Sequence, residues 1–134
     1  MNRFPLKIVT PDGLLYDGEA EELIVRTTSG DLGILAGHMN CVAPLGMGKA
    51  TVMLDGQKRY GACIGGMVTM MDGKATLVAT TFEWADQIDV GRADRSEDRA
   101  RAVLADNKSA DTDIRLAQAR LKRALIRKSV ADGK

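Results

Sequence analysis

The side chains that could do chemistry in this sequence are few and mostly cationic. His38 is the only histidine, so a histidine-based metal cluster is excluded and a Ser-His-Asp triad would have to use this one residue. No G-x-S-x-G elbow, Walker A loop or G-x-G-x-x-G fingerprint occurs. Cys41 and Cys63 fit no metal or redox spacing and read as reduced, partly buried thiols. The chain is therefore not expected to catalyse a reaction by itself. What remains is arginine. Arg92 and Arg99 are seven residues apart and would share one helix face; Arg123 and Arg127, four apart, would share another. Two helices folded back antiparallel would bring the four guanidiniums together beside Glu83 and Asp89. Arginine clusters hold phosphates through bidentate hydrogen bonds, and a carboxylate can orient an adenine or ribose group. The same residues also read as a solvated basic face, with Asp89 a plain helix N-cap.

The elements that must position these residues change character near residue 86. All three prolines, and every glycine of the 14 except Gly91 and Gly133, lie between Pro5 and Gly73. That punctuation belongs to short strands joined by tight turns. Phe4–Thr10, with an edge proline at Pro5, reads as a strand closed by Pro11-Asp12-Gly13. Glu22–Thr28 and Met47–Leu54 read as two more. Asp55-Gly56 and Asp72-Gly73 each sit between β-patterned runs, Met67–Met71 and Lys74–Ala79 flanking the second, and predict two hairpins. Three glycines between Gly30 and His38 predict a compact loop. Many short strands with regular turns argue for a sandwich or flattened barrel. Beyond residue 86 the chain is rich in Ala, Arg, Asp and Leu. It reads as a first helix capped by Asp89, with Ala93, Ala100, Val103 and Leu104 on one stripe. A polar connection follows over Ala105–Ala110, then a second helix from about Asp111 to Lys128, with Ile114, Ala117, Leu121, Ala124 and Leu125 at helical spacing. Such narrow stripes suit an antiparallel helical hairpin. Asp111 and Asp113 open the second helix and Arg115, Arg120, Lys122, Arg123, Arg127 and Lys128 follow, an order that suits the helix dipole.

At 134 residues the chain holds one small domain and an appendage, divided as 1–86 and 87–134. A net charge of +1 exerts no global pull on nucleic acid or membrane. Aromatic residues make up only 4%, and the basic second helix has none to stack on bases or anchor in lipid, so no nucleic-acid partner and no direct membrane insertion are expected; a protein with an acidic surface fits better. No apolar stretch approaches the roughly 18 residues of a membrane span. Met1-Asn2-Arg3-Phe4-Pro5 leads straight into a strand pattern, with no sign of a signal or transit peptide.

These pieces, in this order, resemble the epsilon subunit of bacterial F-type ATP synthases. The resemblance is carried by Thr10-Pro11 with Tyr16-x-Gly18, by Thr27-x-x-Gly30-x-x-Gly33-Ile34-Leu35-x-Gly37-His38, by Pro44-Leu45-x-x-Gly48 and Ile64-x-Gly66, and by Ile88-Asp89-x-x-Arg92-Ala93 with Arg99, Ala100 and Leu104. It implies a ten-stranded β-sandwich followed by an antiparallel two-helix hairpin. It further implies a non-catalytic rotor subunit whose sandwich binds the gamma subunit and sits on the c-ring, with Asp31 at the c-ring end and His38 toward gamma. The hairpin would inhibit ATP hydrolysis when extended toward the catalytic beta and alpha subunits, through Arg115, Lys122, Arg123 and Lys128. No cofactor is required; ATP would be a regulatory ligand of the folded hairpin at Glu83, Asp89, Arg92, Arg99, Arg123 and Arg127. The resemblance places the subunit peripherally on the cytoplasmic face of the bacterial plasma membrane. Asn40 stands where the family often has proline, Ser96 replaces a common alanine, and Gly91 falls where a helix-former is usual. The alternative is a free-standing ATP-sensing module of the same build. A small hydrolase lacks a nucleophile–base pair.

Overall fold

A computed structural model describes residues 2–133. The chain divides into two compact units, Met1–Trp84 and Ala85–Lys134. Among the described residues the first holds eight strands: β1 (Phe4–Thr10), β2 (Gly13–Ala20), β3 (Glu22–Thr27), β4 (Gly30–Leu35), β5 (Cys41–Pro44), β6 (Met47–Leu54), β7 (Gln57–Met71) and β8 (Lys74–Trp84). The second holds a 3₁₀ turn over Ala85–Gln87 and two helices, α1 (Val90–Ala105) and α2 (Asp111–Ala131).

Alternation makes the strands. In β1, Phe4, Leu6, Ile8 and Thr10 are buried while Pro5 and Lys7 are exposed, the period-2 pattern of a strand with one wet face. The strands are hydrogen-bonded in the order β2-β1-β8-β7-β6-β3-β4, with β5 added to β7. Every pair is antiparallel except β1 with β8. Leu6, Ile8, Leu23, Val25, Ile34, Val68, Met70 and Leu77 are each fully buried in one apolar cluster. At its margin Trp84 packs edge-on against Phe82, ring centroids 4.9 Å apart, and the Arg59 guanidinium lies 3.8 Å above the indole ring.

Three sequence expectations need correction here. The strand count is eight, not ten, because β7 and β8 are long and continuous. β7 pairs β6 along Gln57–Ile64 and β5 along Met67–Met70, changing partner at Gly65-Gly66. Both glycines have positive φ, and a Cβ on Gly66 would sit 1.9 Å from the Val78 carbonyl oxygen. These glycines kink one strand around the core instead of ending it. Pro5 is not on an edge strand, since β1 lies between β2 and β8; it falls outside the Leu6–Val9 stretch that pairs with β8, so that ladder loses no donor there. The glycine-rich segment from Gly30 is a strand over Gly30–Leu35 and only then a turn through Gly37 and His38. The turn chemistry stands as read: Asp55 and Gly56 have φ of 54° and 74°, Asp72 and Gly73 of 51° and 80°, the positive pair that a two-residue hairpin demands.

Candidate functional site

The helical unit begins with a cap. Asp89 is extended, and its Oδ1 accepts the Arg92 backbone N–H at 3.0 Å, satisfying one of the four unpaired donors of the first turn. Gly91 falls within that first turn, where it costs little. After Ala105 the chain turns on Asp106, whose Oδ1 accepts the Lys108 N–H at 2.9 Å, while the Ser109 hydroxyl donates to the Val103 carbonyl at 2.9 Å. α2 has no side-chain cap, but Asp111 and Asp113 lie in its first turn.

Small residues set the seam between the helices. Ala93 and Ala100 of α1 and Ala117 and Ala124 of α2 are buried. Lys128, near the end of α2, meets Asp94 and Glu97, near the start of α1, which makes the pair antiparallel. Leu125, expected on the inward stripe, is exposed; it follows buried Ala124 by one residue, about 100° of helical turn, and so faces outward.

On one flank of this pair runs a groove of about 450 Å³. Arg99 of α1 and Arg120, Arg123 and Arg127 of α2 line it, together with the buried Ala100 and Ala117 and the exposed Leu116. Among the described residues Asp113 is the single acidic one in the lining. Three of the arginines expected from sequence, Arg99, Arg123 and Arg127, thus come together. Arg120 was missed as a site residue, although its spacing to Arg123 and Arg127 is the i, i+3, i+7 repeat of one helix face. Arg92 shares a face with Arg99 but does not line the groove. Seven residues at 1.5 Å each separate the two by about 10 Å along the axis. Asp89 uses its carboxylate as a cap. Glu83 stands on β8 of the sandwich unit, opposite Ala62 in the β7–β8 ladder. Four guanidiniums with one carboxylate make a site for a multiply charged anion.

The cations expected on the inhibitory helix are placed differently from one another. Arg115 and Lys122, seven residues apart, are exposed. Arg123 lines the groove. Lys128 is engaged: its Nζ lies 2.8 Å from Asp94 Oδ1 and 2.8 Å from Glu97 Oε1, and Glu97 Oε2 accepts Arg101 Nε at 2.8 Å. The bonds to Asp94 and then Glu97 hold the Lys128 ammonium well above its ordinary range. Those from Lys128 and then Arg101 hold the Glu97 carboxyl below the usual range. Sequence spacing alone did not single out Asp94, Glu97 or Arg101.

In the sandwich, Asp31 is exposed on β4, paired across the strand with Arg26, whose Nη1 lies 3.2 Å from Asp31 Oδ1. The neighbouring β-turn is tied by Thr27, whose hydroxyl donates to the Gly30 carbonyl at 2.6 Å and accepts the Ser29 N–H at 3.1 Å. His38 follows the far end of β4, its Nδ1 2.8 Å from the Met39 carbonyl oxygen. The strand from Asp31 to Leu35 spans about 13 Å, so the structure does not join Asp31 and His38 in one site. Among the described residues no helix is long and apolar enough to cross a membrane.

Residues 3–85 match the model of the ATP synthase Delta/Epsilon chain beta-sandwich domain. Over the full length, this chain is 41% identical to the ATP synthase epsilon chain of Ruminococcus albus and 43% identical to that of Bacillus velezensis, each alignment covering 98% of both chains. Identity to the ATP synthase epsilon chain of Bacillus mycoides is 40%, covering 100% of each. Among solved structures, a chain of the Euglena gracilis mitochondrial ATP synthase OSCP/F1/c-ring complex matches with a TM-score of 0.83 and 21% identity, over 95% of this chain and 80% of that one. A chain of the Tetrahymena thermophila mitochondrial ATP synthase central stalk/c-ring structure matches with a TM-score of 0.59 and 12% identity, over 95% of each. At those identities the structural likeness speaks to the fold. With the sandwich model covering most of the first unit and 40% identity or more running through both, this chain belongs to the ATP synthase epsilon-chain family.

Proposed function

We propose that the sandwich, residues 1–86, binds the gamma subunit and seats the chain on the c-ring, and that the hairpin, residues 87–134, regulates ATP hydrolysis. Membership of the epsilon-chain family makes this a stalk subunit and not the catalytic one. The observation that carries the reading is the full-length identity to epsilon chains, which includes the hairpin as well as the sandwich. Two structural neighbours come from F1/c-ring and central-stalk/c-ring assemblies, which supports a seat between c-ring and catalytic head. The chain would sit peripherally, on the cytoplasmic face of the membrane, held there by its partners.

The regulatory mechanism follows from charge. In an opened hairpin the exposed Arg115 and Lys122 are available to an acidic surface of the beta and alpha subunits, and the contact stalls hydrolysis. ATP, bound in the arginine groove, favours the closed hairpin, because α1 and α2 each contribute only part of the lining. The shift cannot exceed the ligand's differential affinity for the closed state. Reconstitution tests this reading. The chain is expected to copurify with gamma, and Arg115→Ala with Lys122→Ala is expected to raise hydrolysis in the assembled complex. Failure to bind gamma under mild conditions would point to a free-standing module, and unchanged hydrolysis would remove the second helix as the inhibitory element.

A further inference from the structure

Helix α1 carries two stripes of the same spacing, one with a single charge and one fully charged. Ser96, Arg99 and Val103 line the arginine groove. Asp94, Glu97 and Arg101 repeat the same i, i+3, i+7 pattern two residues earlier. Two residues are about 200° of helix, so the second stripe lies on the opposite flank of the pair. There Lys128 crosses from α2 and bonds both carboxylates, 31 residues from Glu97 in sequence. Arg101 orders Glu97 from within α1, so less side-chain freedom is lost when Lys128 joins. A linked set of charges is the case in which solvent-exposed ion pairs contribute measurably. The groove flank opposes closure: among the described residues Arg99, Arg120 and Arg123 make no hydrogen bond or ion pair, and like charges on the two helices repel.

We propose that Asp94, Glu97 and Lys128 form an electrostatic latch that holds the hairpin closed against the groove's repulsion and withholds Lys128 from acidic partners until the hairpin opens. Only the clause about partners rests on the regulatory reading above; the latch itself is a property of the isolated chain. It divides the helix cations by role. Arg115 and Lys122 are presented in either state, whereas Lys128 is exchanged between α1 carboxylates and a partner.

Hydrogen exchange of the α2 amides in the full-length chain tests the latch. Lys128→Met and Asp94→Asn are each expected to raise exchange about two- to fivefold, the scale of a modest surface network. Asp98→Asn, which removes an exposed carboxylate outside the latch, is expected to leave it unchanged. Asp94→Asn added to Lys128→Met should add little, because its partner is already gone. Added salt screens both flanks. Relative to the parent, the salt response of Lys128→Met should therefore move toward tightening, since only repulsion is left to screen. Equal exchange in Lys128→Met and Asp98→Asn, strict additivity of the two latch variants, or an identical salt response would each overturn the latch. None of these readouts involves gamma or nucleotide, so they stand apart from the rotor assignment. In the assembled complex Asp94→Asn, which loosens the latch without removing an α2 cation, should lower hydrolysis. Loosened exchange with unchanged hydrolysis would overturn the clause about partners.

Discussion

Replacing Arg123 by alanine separates the groove from the helix cap as the seat of anion binding. Arg123 lines the groove with Arg99, Arg120 and Arg127. A guanidinium hydrogen-bonded to phosphate is worth about 1.5 kcal/mol at the low end of charge-assisted bonds, the appropriate end for an open groove, and its loss weakens binding about tenfold. Arg92 does not line the groove. Its position about 10 Å from Arg99 along the axis is about one Debye length at 0.1 M salt, so Arg92→Ala should weaken binding about twofold at most. The Asp89 cap accepts the Arg92 backbone N–H, which alanine keeps, so this variant does not lose the helix start. Calorimetric titration of ATP into the parent, Arg123→Ala, Arg120→Ala and Arg92→Ala at fixed salt reads the order directly. Arg120→Ala should behave like Arg123→Ala. No heat from the parent at millimolar ATP would refute ATP as the ligand. An Arg92→Ala loss equal to that of Arg123→Ala would refute the placement of the site.

Three further outcomes are expected. The apolar cluster of the sandwich is drawn wholly from residues between Phe4 and Trp84, so a chain ending at Ile88 should keep its near-UV circular dichroism and still bind gamma; a molten spectrum would show that the sandwich is not self-sufficient. Asp31→Arg sets two arginines opposite each other across β3 and β4, costing up to about 1 kcal/mol; the chain should stay folded while ATP-driven pumping of the reconstituted complex falls, and unchanged pumping would count against Asp31 as a contact. Burial pushes the Cys63 thiol up to about 12, so the folded state holds its proton where the unfolded state loses it. Stability from this group is present below the ordinary thiol range and is lost as pH rises toward 12: urea unfolding should be easier by about 3 kcal/mol at pH 11 than at pH 8 from Cys63 alone. Cys63→Ala should show a correspondingly smaller drop, and an equal drop would mean the thiol ionises freely in the folded chain.

What the sequence made legible was local, and what it hid depended on distant partners. Asp55-Gly56 and Asp72-Gly73 could be read because two consecutive residues that tolerate positive φ leave the backbone little choice. Asp89 could be read as a cap because its partner is three residues away. Gly65-Gly66 reads in the sequence as a turn or a bulge, without saying which; the reason for glycine here is the Val78 carbonyl oxygen, which would lie 1.9 Å from a Cβ at Gly66. That reason exists only once β8 is paired. The same holds at the hairpin. The arginine repeat of α2 is a property of one helix, and Arg99, Arg123 and Arg127 do meet. The choice of Asp94 and Glu97 as partners for Lys128, rather than the neighbouring, exposed Asp98, depends on the rotation and register of α1 against α2. Those are set by the alanine seam and by the turn built on Asp106 and Ser109. A one-residue change in that connection would turn α2 by about 100°. Lys128 would then miss the carboxylates and the groove arginines would no longer face Arg99. Groove and latch are thus two readings of one interhelical register, and a perturbation confined to the Asp106–Ser109 turn should disturb both together.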